Sequence, residues 1–141
     1  MLDYVRQNIV KLIPQVVSSL KKRDILELKE LSNHTIHSAS VYQDQSSLTF
    51  ALTVYSLSKI IERAEDNESF NSFINKVVEE LDHSKDLLLI NDVDGYKKSR
   101  NVILSNIGKM DTKFKLYIEE VLDKARVKKG TKLQKQQLSK Y

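Results

Sequence analysis

The chain contains no cysteine, and its 141 residues include only three glycines and one proline. The lack of cysteine excludes disulfide bonds, cysteine-ligated zinc, iron–sulfur clusters and thiol nucleophiles. A β-rich fold needs glycine, proline or Asn-Gly turn signals about every ten residues, which this composition cannot supply. Glycine-rich phosphate loops and nucleophile elbows are likewise missing. The composition therefore predicts an all-α fold and offers no catalytic motif.

Long apolar runs are also missing. No window approaches the roughly 18 apolar residues of a membrane span, and residues 1–17 interrupt their apolar pattern with Asp3, Arg6 and Lys11, which is not typical of a signal peptide. A hydrophobic fraction of 40% is nevertheless enough for a core, and the length suits one domain. We expect a single-domain cytoplasmic protein.

Apolar periodicity predicts three helices in the first half of the chain. Steps of three and four residues run from Leu2 to Leu20, and Pro14 predicts either a kink or two shorter helices. Asp24 has capping-box spacing and begins a second helix. A third helix follows a cap at residues 44–47. Because it is apolar on two opposite sides, we expect it at the centre of the bundle.

The second half predicts two or three further helices. One runs from about residue 69 to 90 and ends in a turn at 91–95, where Asp92 or Asp94 caps the next helix. Gly108 suits a left-handed end to that helix. Asp111 then begins a last one, with an apolar face over 114–125. The sequence thus predicts a bundle of five or six helices over residues 1–130, and a basic tail or incomplete further element over 131–141.

The last eighteen residues carry seven cations and no acid. The whole chain has a net charge of +4, so residues 1–123 carry −3 while this segment carries +7. Dense basic runs attract phosphate backbones without sequence specificity, although cations also stabilise an ordinary helix C-terminus. We expect nucleic-acid contact through the basic C-terminus, that is Lys124, Arg126, Lys128, Lys129, Lys132, Lys135 and Lys140.

Residues 32–47, SNHTIHSASVYQDQSS, are unusually polar for a segment between two apolar ones. At 100° per residue, Thr35 and Ala39 fall on the core side of a continuing helix, whereas His37 points outward and His34 lies on the flank. The small residues of this stretch would let a neighbouring helix approach closely. Two apolar residues also lie on the polar side, which makes a candidate partner face of Leu26, His34, His37 and Val41.

The spacing of the histidines suggests metal binding as an alternative function. Glu80 and His83 have the Glu-x-x-His spacing of carboxylate di-metal bundles, and His34 and His37 are three residues apart. Such bundles need two Glu-x-x-His motifs with additional inward-facing glutamates, and the chain has one motif. We therefore assign no metal and no cofactor.

A predicted helix, a polar break and then SSLTFALTVYSLSKIIER together resemble the second and third helices of the HEPN superfamily. The members of this superfamily are helical bundles that include RNA-cleaving toxins. The resemblance implies a helical bundle and, as an alternative function, RNA processing or a toxin–antitoxin role. The superfamily's catalytic signature is an arginine four to six residues before a histidine. Here Arg23 precedes His34 by eleven, so the catalytic residues are not carried over.

ELSNHTIHSASVYQDQSS, YSLSKIIER and ARVKKGTKL are similar to a set of small archaeal helical proteins without assigned chemistry. In that set a basic Lys-Gly-Ser/Thr segment leads into a further helical part that binds DNA. The resemblance implies that this chain is a shortened relative whose basic tail ends where that part would begin. It implies no site residue.

These observations favour a non-catalytic interaction or regulatory module. Its acidic body would bind a protein partner or a second copy of itself, and its basic C-terminus would contact nucleic acid. No membrane association is expected.

Overall fold

The computed structural model describes residues 1–42, 44–113, 116 and 120, with the side chains of 40–42 left out. This part of the chain contains no strand and five α-helices: α1 (Asp3–Lys22), α2 (Ile25–Tyr42), α3 (Gln45–Arg63), α4 (Glu68–Leu89) and α5 (Val93–Met110). The predicted all-α bundle is confirmed. The predicted face of the sixth helix and the basic tail lie outside the described residues.

Successive helices run in opposite directions. The Arg6 guanidinium donates to the Leu88 carbonyl at 3.0 Å, which brings the start of α1 to the end of α4. Arg23, just after α1, donates to the Asn71 amide oxygen near the start of α4, at 2.9 Å. α2 packs most extensively on α3, α4 packs on α5, and α1 lies mainly against α4. The bundle is therefore two antiparallel hairpins held together by α1.

Side-chain caps fix where four of the five helices begin. In each case a carboxylate or amide oxygen accepts the backbone N–H three residues further on, at 2.7–3.0 Å. Such a cap satisfies one of the helix's free N–H groups and stabilises it by about 1 kcal/mol. The predicted caps at residues 24 and 44 are confirmed, and the open choice before α5 falls on residue 92. The capping residues are Asp24, Asp44, Asn67 and Asp92.

Two helices end on a left-handed residue that is not glycine. Arg23 (φ 56°) follows α1 and Asn91 (φ 59°) follows α4. Gly108, predicted to end α5 in this way, is instead buried inside a helix that continues to Met110, so that prediction was wrong. The two residues differ in what supports them: asparagine adopts this conformation readily, whereas the Arg23 side chain is held by the Leu20 carbonyl and Asn71.

α1 is one continuous helix through Pro14, so the two-helix alternative is wrong. Pro14 lies on the exposed face, where the carbonyl that loses its backbone donor faces water at little cost. The wide buried stripe on the opposite face, including Ile13 and Val17, holds both halves in one helix. Leu2 was predicted to join this stripe, but it precedes the first turn and is 55% exposed.

α3 is buried on both sides, as its two apolar faces predicted. Thirteen of its nineteen residues are buried, and its partly buried Tyr55 also packs on the core. Four buried hydroxyls on this helix donate to carbonyls three or four residues earlier, so burial leaves none of them unsatisfied. They belong to Thr49, Thr53, Ser56 and Ser58.

Candidate partner interface

The side of α2 that faces away from the bundle carries the predicted partner residues. Leu26 is 68% exposed, and His34 and His37 are exposed on the same side. Together with Glu30 they recur at steps of three and four residues, so they line one face of the helix. We call these four residues the α2 outer face. The Val41 side chain lies outside the description, so its place on this face stays a prediction.

The opposite side of α2 explains this orientation. Leu28, Thr35 and Ala39 are fully buried against the core. Ser32 is also fully buried, and its hydroxyl donates to the Ala51 carbonyl of α3 at 2.9 Å. A side chain that reaches a neighbouring helix backbone at this distance requires close helix packing, which confirms the expectation from the small residues of this segment.

A groove between α1 and α2 adjoins the outer face. Its volume is about 440 Å³. Leu31 lies at its buried side and Leu26 at its exposed rim. We call it the α1–α2 groove; it is lined by Gln15, Asp24, Leu26, Glu27, Glu30 and Leu31.

Three carboxylates line this groove. One Asp24 oxygen accepts the Glu27 backbone N–H at 3.0 Å. Within the described residues, neither Glu27 nor Glu30 forms an ion pair. On the other side of Leu26, by contrast, Lys29 pairs with Glu62 of α3 at 3.0 Å. The hydrogen bond and the positive charge of Lys29 lower the pKa of the Glu62 carboxyl. The arrangement suits an apolar side chain flanked by cations.

The histidines are spread over the surface. His83 is exposed on α4, away from the two on α2, and Glu80 is only half-buried. Within the described ranges no three histidine, aspartate or glutamate side chains come together in a way that would hold a metal ion. Arg23 is engaged in structural contacts, including a stacking distance of 5.4 Å to the Phe70 ring. The geometry brings no histidine pair to a common site.

Two other surface features were not predicted from the sequence. A groove of about 260 Å³ between α4 and α5 is lined by Phe73, Met110, two lysines and three small polar residues. At the opposite end of the bundle, four large apolar side chains are 44–73% exposed. They are Leu2, Tyr4, Leu89 and Ile90. The sequence had placed Leu2 on the core stripe of α1, and exposure at a helix end does not show in periodicity.

Glu27, Glu30 and Gln15 were also missed as groove residues. The alternation of Leu26 with acids in ILELKE was the available signal, although the contribution of α1 requires the tertiary structure. The seven cations of the basic tail lie outside the described residues. Among the helices that are described, none has the length and apolarity that a bilayer crossing requires.

Comparison of the chain with protein-family models, with curated proteins and with solved structures gave no match.

Proposed function

We propose that this protein is a non-catalytic cytoplasmic interaction module that joins a protein partner to nucleic acid. The helical body binds the protein partner, and the basic C-terminus contacts the phosphate backbone. From here on, the basic tail means all residues that carry the seven cations, 124–141. The observation that carries the proposal is the charge step at Lys124, from −3 over residues 1–123 to +7 over the tail. Because the positive charge is confined to the tail, the tail attracts an acidic polymer although the body carries a net negative charge.

The α2 outer face supports the protein-binding half. A leucine that is 68% exposed costs little in a monomer by itself. Beside unpaired carboxylates and a groove, however, it provides an apolar anchor inside a polar rim, which is the usual composition of a binding surface. The buried face of the same helix is complete without Leu26, so this residue is free to serve a contact.

An RNA-cleaving function finds less support. General-base histidines are normally oriented by a hydrogen bond to a second group. Within the described part of the chain, none of the three imidazoles makes a hydrogen bond, and the arginine nearest in sequence to His34 is used structurally.

The test is binding of the full chain to labelled duplex DNA and RNA over a salt series. Seven phosphate contacts predict a slope of log affinity against log salt of up to about −6 on DNA, because each contact releases roughly 0.9 counterion. We expect binding at low salt on both duplexes, without sequence preference. An affinity that does not change with salt, or no binding at about 50 mM salt, would contradict the proposal.

A further inference from the structure

No other element of the described chain covers the α2 outer face, which lies beside a groove. Leu26 is among the most exposed large apolar residues of the described chain. It lies one residue before Glu27 and four before Glu30, both of which lack an internal cation partner there. An occupant that satisfies both features must offer cations together with apolar side chains.

The last described long helix, α5, ends at the same end of the bundle as this groove. Asp111, directly after α5, lies 3.9 Å from the Arg63 guanidinium at the end of α3. The neighbouring Glu62 pairs with Lys29 in the second turn of α2. We call this end, marked by Lys29, Arg63 and Asp111, the exit end. The α1–α2 groove includes Glu30, the residue after Lys29.

We propose that the α1–α2 groove binds the basic tail of the same chain. The tail contributes seven cations and no acid, and it contains Leu133 and Leu138 as apolar partners for Leu26. Lys124 is eleven residues beyond Lys113. That length covers about 16 Å as helix and up to about 36 Å when extended, so a groove at the exit end is within reach.

This inference rests on the proposed function, because it gives the basic tail two alternative binding surfaces. Tail lysines that are bound in the groove cannot contact phosphate. The tail must therefore leave the groove before it can bind nucleic acid. The apparent nucleic-acid affinity then equals the intrinsic affinity multiplied by the fraction of chains whose tail is free. Weakening the groove is expected to strengthen nucleic-acid binding.

The direct test is carbodiimide cross-linking of the full chain, which joins carboxylates to lysines in contact, followed by peptide mass spectrometry. We expect links from Glu27 or Glu30 to tail lysines. An equal mixture of ¹⁴N- and ¹⁵N-labelled protein separates the two possible sources, because links within one chain never mix the labels. Mixed-label links would overturn the proposal in favour of a second copy. Equal yields at Glu79 and Asp82, which are exposed on α4, would overturn it in favour of unspecific contact.

The second test compares the affinity of matched full-length variants for duplex DNA at low salt. Glu27→Gln with Glu30→Gln removes two charges from the groove, and Glu79→Gln with Asp82→Asn removes two from α4. We expect the groove variant to bind about three- to tenfold tighter than the unchanged chain, from two surface ion pairs of up to about 1 kcal/mol each, and the control to change less than twofold. Equal changes would overturn the proposal.

The two proposals fail in different ways. If DNA binds with a steep salt slope but no groove-to-tail link forms, the groove is not the tail's second surface and the proposed function stands. If the links form but DNA does not bind, the groove holds the tail and the nucleic-acid half of the proposed function is wrong.

Discussion

At the scale of single residues, a titratable hydroxyl is buried near the start of α5. Tyr96 is only 2% exposed. Burial raises the pKa of its hydroxyl to about 12, with a smaller opposing effect from Arg100 and a small additional increase from Asp44. Burial also lowers the pKa of Arg100, whose Nε has no hydrogen-bond acceptor in the described structure. The buried part of α5 around Tyr96 is thus sensitive to charge.

This environment makes stability depend on alkaline pH. The unfolded chain loses the tyrosine proton near pH 10 and the folded chain only near 12, so the folded state binds more protons in between. The stabilisation is complete below pH 10 and is lost as pH rises through 12. We expect Tyr96 alone to account for a loss of about 1 kcal/mol by pH 11 in urea unfolding.

Tyr96→Phe isolates this effect, because phenylalanine keeps the ring without the titrating group. Its unfolding free energy should decline less between pH 9 and 11 than that of the unchanged chain. Tyr4→Phe is the matched control, since Tyr4 is 44% exposed. Identical pH profiles for all three chains would show that the Tyr96 hydroxyl is not desolvated in solution.

At the scale of elements, periodicity and cap residues predicted four features correctly: the helical class, the caps at residues 24 and 44, the burial of α3, and the outward direction of His37. Each of these depends on local sequence alone. The errors arose where tertiary contacts decide. Gly108 is buried inside α5 rather than at its end, and Leu2 precedes its helix. The groove escaped prediction because Gln15 comes from another helix.

Two leucines of α2 test how the helix divides between core and surface. Leu28 is fully buried and Leu26 is 68% exposed. We expect Leu28→Ala to lower the free energy of unfolding by about 2–5 kcal/mol, because it removes a buried side chain and leaves a cavity. Leu26→Ala should stay within about 0.5 kcal/mol of the unchanged chain. Chemical denaturation measures both.

A large destabilisation by Leu26→Ala would contradict the assignment of the α2 outer face as a surface left free for a partner. Because the two substitutions are identical and lie two residues apart on one helix, differences in helix propensity cancel between them.

At the scale of the whole molecule, the chain separates its charges along its length. The folded body carries surplus acid, part of it around an exposed leucine at the exit end, and the cations follow beyond it. The tail has two alternative binding surfaces, the groove and a phosphate backbone. The affinity of the module for nucleic acid therefore depends on how strongly its own groove binds the tail. Surface electrostatics of this kind are screened by salt, so their consequences are largest at low ionic strength.

The measurement that tests this account most directly is duplex DNA binding at low salt by two full-length chains. One is unchanged, and the other carries glutamine at all seven tail cations, which preserves length and the body. Circular dichroism first checks that the two have equal helix content. We predict that substitution lowers the affinity at least about a hundredfold, since most of the phosphate contacts are lost. Equal affinity of the two chains would contradict the central claim that the tail is the nucleic-acid contact.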